Sequence, residues 1–109
     1  MARKQIPEEV RQQVEAIVEL FNREVIKIPA AYYVTRYKGE YVHLGRMRWG
    51  KFGPLCRLKY TGNMKAWGFA IYKYSDEAYD PEEWFFTGAE YVDGTVEGAL
   101  KAGWNAYPW

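Results

Sequence analysis

Residues 30–74 read AAYYVTRYKGEYVHLGRMRWGKFGPLCRLKYTGNMKAWGFAIYKY. Short runs of Tyr, Val, Trp, Phe and Ile are broken at Gly39, Gly50, Gly53-Pro54 and Gly62-Asn63, a pattern that predicts a meandering antiparallel sheet. The breaks predict four strands, at about 31–38, 41–49, 55–60 and 66–74. Lys38-Gly39 and Thr61-Gly62-Asn63 suit tight turns. Residues 50–54 suggest a looser loop, with Pro54 at a strand start. Alternation then sorts the faces. Val42 and Leu44, Cys56, Leu58 and Tyr60, and Trp67, Phe69 and Ile71 point one way. Tyr41, His43, Met47, Trp49, Arg57, Lys59, Tyr72 and Tyr74 point the other way. The first strand fits either orientation, and a bulge at Gly45 would re-aim Arg46 and Arg48.

A helix is expected on each side of this stretch. Within residues 7–27, Val10, Val14, Ile17, Val18, Phe21 and Val25 form an apolar stripe at helical spacing. Pro7 suits the first helical position, and Pro29 forces an end. Residues 80–83 (Asp-Pro-Glu-Glu) look like the start of a short helix through Trp84, Phe85 and Phe86, ended by Gly88. Residues 89–92 are expected to be extended. Asp93-Gly94-Thr95 then caps a last helix from Val96 to about Tyr107, stopped by Pro108. Gly98, Ala99, Ala102, Gly103 and Ala106 make this helix small-sided, which implies close approach to a neighbour. The expected fold is one α+β domain over residues 1–109, with a flexible start at 1–6 and an acidic connector at 75–93. Both helices should cover one sheet face. The core should hold Val14, Ile17, Val18, Phe21, Val42, Leu44, Leu58, Trp67, Phe69, Ile71 and Leu100.

Composition bounds the function. An apolar share of 49% with 27% charged residues excludes a disordered or fibrous chain. No apolar run is long enough to span a bilayer, and the start MARKQIPEEV has no apolar stretch, so neither a membrane nor a signal peptide is expected. A single cysteine, Cys56, cannot form an internal disulfide and points to a cytoplasmic protein. The net charge of +1 hides a segregation, because residues 31–74 carry a net +8 and residues 75–100 a net −8.

Catalytic chemistry finds little material. With one Ser (Ser75), one His (His43) and one Cys (Cys56), a nucleophile–base arrangement is not expected, and the protein reads as a non-enzyme. His43 and Cys56 cannot complete a zinc site, and the acids at 76–83 lack the spacing of a calcium loop. No glycine-rich phosphate loop is present, nor any motif of the small RNA-binding domains, so no cofactor is expected. What remains is a sheet face that mixes rings with cations. Its candidate binding residues are Tyr41, His43, Arg46, Arg48, Trp49, Arg57, Lys59 and Tyr72. Rings stack on bases and Arg or Lys tracks phosphates, so the first reading is a binding module for an anionic partner such as single-stranded nucleic acid. The second is an interaction or structural module that meets another protein, or a second copy of itself, through the same aromatic face.

Overall fold

The computed structural model describes residues 5–27, 31–83 and 85–107. Helix α1 (Glu8–Phe21) leads through a π-helical turn (Asn22–Ile26) into strands β1 (Ala31–Lys38), β2 (Tyr41–Arg48), β3 (Lys51–Lys59), β4 (Gly68–Lys73) and β5 (Ala78–Asp80). A 3-10 turn (Ala89–Tyr91) and helix α2 (Val96–Ala106) follow. All strand pairs are antiparallel and the sheet order is β1-β2-β3-β4-β5, so each strand lies beside its neighbours in sequence.

The sheet therefore has five strands rather than the four expected. The fifth is only three residues long and too short to show alternation. It is held by pairing Tyr79 with Tyr72 and Asp80 with Ile71. The loop expected at residues 50–54 is also absent. Trp49 (φ 54) and Gly50 (φ 75) form a two-residue turn, and β3 begins at Lys51. Positive φ at both central residues gives the twist that matches a hairpin. Pro54 lies inside β3 opposite Gly45, next to an irregularity that leaves Leu55 unpaired between Pro54 and Cys56. Leu55 and Cys56 are both buried as a result. Pro81 and Glu82 form a turn after β5, and none of the described residues 81–83 and 85–86 adopts the helix expected there; the Asp80 carboxylate accepts from the Glu82 N–H at 2.9 Å. Trp84 and Pro108 lie outside the described residues, as does Pro29. Residues 89–91 are a 3-10 turn, not extended chain.

Helix α1 buries Val10, Val14, Val18 and Phe21 along its stripe. Pro7 stands one residue before the helix. Of the stretch 1–6 only Gln5 and Ile6 are described, and Ile6 is buried, its N–H donating to the Gly39 carbonyl at 3.2 Å. The stripe then breaks: Val25 is 52% exposed and Ile26 takes the inward position. The π-helical turn is the cause. The Lys27 N–H reaches back five residues to the Asn22 carbonyl at 2.9 Å, and the extra residue rotates the chain by part of a turn. Asn22 also holds β1, because its side-chain amide donates to the Tyr33 carbonyl at 3.0 Å and accepts the Tyr33 N–H at 2.8 Å.

The two helices touch each other and one face of the sheet. Phe21 packs edge-on against Tyr33, and the Tyr37 hydroxyl bonds Glu15 of α1 at 2.6 Å. On the α2 side, the Tyr33 hydroxyl donates to the Leu100 carbonyl at 2.8 Å and the Cys56 thiol meets the Ala99 carbonyl at 3.8 Å. Gly103 makes the close fit possible, since a Cβ there would lie 2.6 Å from the Tyr33 hydroxyl. The small side of this helix is thus a packing requirement. Thr95 caps α2 by accepting from the Gly98 N–H at 3.0 Å, and Asp93 in turn fixes Thr95. The expected core residues are buried, except that Ile17 is half-buried. No described helix is long and apolar enough to cross a membrane.

Candidate functional site

The strand register assigns the opposite sheet face. Facing away from the helices are Arg36 and Lys38 of β1, Tyr41 and His43 of β2, and Arg57 and Lys59 of β3. Tyr72 of β4 and Tyr79 of β5 continue the same face. The strand positions on this face include four cations and no Asp or Glu. Glu40, in the β1–β2 turn, pairs with Lys59 at 3.5 Å.

The rings form a row. Tyr41 lies 6.4 Å from His43, His43 5.1 Å from Tyr79, Tyr79 5.0 Å from Tyr72, and Tyr72 4.8 Å from Tyr74. Tyr74 in turn meets Tyr107 at 5.3 Å. The Arg57 guanidinium stands over Tyr41 at 4.6 Å and over Tyr79 at 5.2 Å, a cation held between two ring faces. Arg36 lies over Phe52 at 4.1 Å, and Phe52 occupies the space that a side chain at Gly45 would need. Ala70 is 2% exposed although no helix covers this face, so the row closes over the sheet beneath it. Burial, then the charges of Arg57 and Lys38, hold the His43 pKa below the usual histidine value. Burial also pushes the Tyr79 hydroxyl up to about 12.

Five of the eight candidate residues, Tyr41, His43, Arg57, Lys59 and Tyr72, therefore share one face. Arg46 does not. It lies on the helix side, 8% exposed, donates to the Tyr107 carbonyl at the end of α2 and stands 5.0 Å from the Trp104 ring. Arg48 shares its parity and is exposed, and Trp49 sits at the tip of the β2–β3 turn. Tyr79 and Arg36 were missed by sequence reasoning. Tyr79 became visible only with β5, and Arg36 lay on the strand whose facing was open.

Among the described residues, the acidic segment adds Tyr79 to this row and then turns to the helix side. Lys73 on the helix side gathers Asp76 at 3.7 Å, Asp80 at 3.8 Å and Glu83 at 3.2 Å. Phe86 then stacks on Phe69, a helix-side residue, at 5.9 Å, and Gly88 passes against Ala102 of α2. Hydrogen bonds from the Phe85 N–H and Lys73 hold the Glu83 carboxyl below its usual value. The remaining chemistry is dispersed. Cys56 is fully buried on the helix side, its thiol pushed up by burial, while His43 is on the other face. Among the described residues no group of three His, Cys, Asp or Glu is placed to hold a metal. Compared with protein-family models, curated proteins and solved structures, the chain matches none.

Proposed function

We propose that this protein is a small cytoplasmic binding module rather than an enzyme, and that its uncovered sheet face takes single-stranded nucleic acid. One observation carries the reading. A continuous row of rings from Tyr41 to Tyr74 lies on a face whose only strand charges are Arg36, Lys38, Arg57 and Lys59. Rings accept any base by stacking, and cations beside them neutralise the backbone. The turn of the described acidic residues beyond β5 toward the helix side supports this reading. In this reading Arg57 acts as a stacking surface and a phosphate contact together, because its plane is already set by Tyr41 and Tyr79.

Fluorescence anisotropy with short labelled RNA and DNA strands tests the proposal. Three or four phosphate contacts give a log–log salt slope of roughly −2 to −3 on a single strand. Arg57→Ala should flatten that slope by about 0.7. Tyr79→Ala should weaken binding by about 1–3 kcal/mol with little change of slope. Failure of both strand types to bind at low salt overturns the reading. A stable dimer at micromolar concentration, dispersed by Tyr72→Arg, would instead assign the face to a second protein chain.

A further inference from the structure

On the open face the strand register lines up charge across three strands. His43 of β2 lies directly opposite Arg36 of β1 and Arg57 of β3, and the next open-face position puts Tyr41 between Lys38 and Lys59. Glu40 of the β1–β2 turn holds Lys59 at 3.5 Å. Among the described residues Arg36, Lys38 and Arg57 have no carboxylate partner. The Arg36 guanidinium leans away over Phe52 at 4.1 Å. That of Arg57 stays between Tyr41 and Tyr79, the two rings that also meet the imidazole. The other titratable groups on the face are the hydroxyls of Tyr41, Tyr72 and Tyr79. His43 therefore stands half-buried at the centre of a ring-lined, cationic patch.

An imidazole among cations conflicts with stability alone, and such local conflicts gather at functional sites. A neutral ring donates from one nitrogen and accepts at the other, whereas a protonated ring donates from both. Burial, then the charges of Arg57 and Lys38, oppose protonation in the free protein. A phosphate over the ring reverses that balance. Its charge cancels the repulsion, and the second nitrogen changes from a lone pair that repels phosphate oxygens into a charged donor. Strand binding and protonation then favour each other equally, because linkage is reciprocal. We propose that a phosphate of the bound strand settles over His43, between Arg57 and Lys38, and that the ring takes up one proton from solvent as it does. This rests on the open-face reading and gives its ligand a fixed point, with bases on the rings of Tyr41 and Tyr79 beside the phosphate. The face then holds single strands more tightly as the solution turns mildly acidic.

Two measurements on the full chain test this. Anisotropy with labelled oligothymidylate and oligouridylate, whose bases do not titrate near neutrality, reads affinity at fixed salt from about pH 8 to about pH 5.5, either side of the ordinary histidine value. Proton NMR reads the ring directly, because His43 is the one histidine of the chain. A negative charge beside an ionisable group changes its proton affinity by about tenfold or more, so strand affinity should rise by about tenfold or more on acidification. The imidazole resonance should titrate at higher pH in the complex than in the free protein. His43→Gln should remove the pH dependence, and His43→Arg, a permanent cation, should keep the acid-side affinity throughout. Melting temperatures taken at each pH separate these effects from misfolding, and the resonance of the unaltered protein decides if a variant does not fold. Strands bound equally tightly at every pH, or a ring that titrates alike free and bound, overturn the phosphate seat and spare the open face. A pH dependence that survives in His43→Gln assigns the proton to another group and overturns the seat as well. Absence of strand binding across the whole range overturns the open-face reading and the seat with it.

Discussion

His43 is where residue-scale physics reaches solution behaviour. Its imidazole is held neutral by burial and by Arg57 and Lys38, whereas the unfolded chain would take up a proton near pH 6.5. Below that pH the unfolded state binds more protons, so stability falls as the solution is acidified. The fall levels off once the folded imidazole is protonated too. His43→Gln should therefore flatten the urea midpoint over the interval just below about pH 6.5, above the range where Glu83 and Asp93 lose their charge. If wild type and variant lose stability in parallel over that interval, the histidine is not the group responsible. A second residue-scale test concerns the α2 contact. Tyr33→Phe removes a buried hydrogen bond to Leu100 and should cost about 1 kcal/mol. Gly103→Ala drives a methyl group against the same hydroxyl and should cost about 1–3 kcal/mol. The double variant should lose less than the sum, because the oxygen that the methyl group meets is gone; additive losses would show that the fit is limited elsewhere.

Among the elements, the π-helical turn and the β2–β3 hairpin carry the sharpest expectations. Ile26→Ala should cost about 2–5 kcal/mol and Val25→Ala about 0.5 kcal/mol or less, although simple helical spacing favours Val25. Chemical denaturation decides it, and the opposite ranking would remove the π-helical turn. Trp49→Asn should stabilise the hairpin by about 1 kcal/mol, since Asn accepts positive φ more readily. These are also the places where the sequence misled. Val25 and Ile26 are both apolar, so periodicity could not reveal the extra residue between them. Gly53-Pro54 read as a loop because proline rarely sits inside a strand, and only the irregularity beside Leu55 makes room for it. Helix α2 was legible because its cap and its small residues are local signals. The third strand pair was legible for its alternation, and β5 was not, for want of length.

For the whole molecule, the face was legible where pairing follows alternation, as at Tyr41, His43, Arg57 and Lys59. At Arg46 the expected bulge at Gly45 misled: the extra residue is Leu55 on β3, β2 keeps its alternation, and Arg46 stays with Val42 and Leu44 under α2. The meander leaves β1 and β5 paired on one side only. At β5 just three residues are involved. At β1 there are eight, long enough to template another chain, and this is where Asn22 has its wider meaning. By bonding both main-chain groups of Tyr33, its side-chain amide imitates the strand that would otherwise add there. Asn22→Ala would reopen that slot. The variant should melt only modestly earlier than wild type, yet scatter light and bind amyloid dyes on standing at concentrations where wild type stays clear. The single amide is then a guard against polymerisation, set at the one border of the sheet long enough to need it.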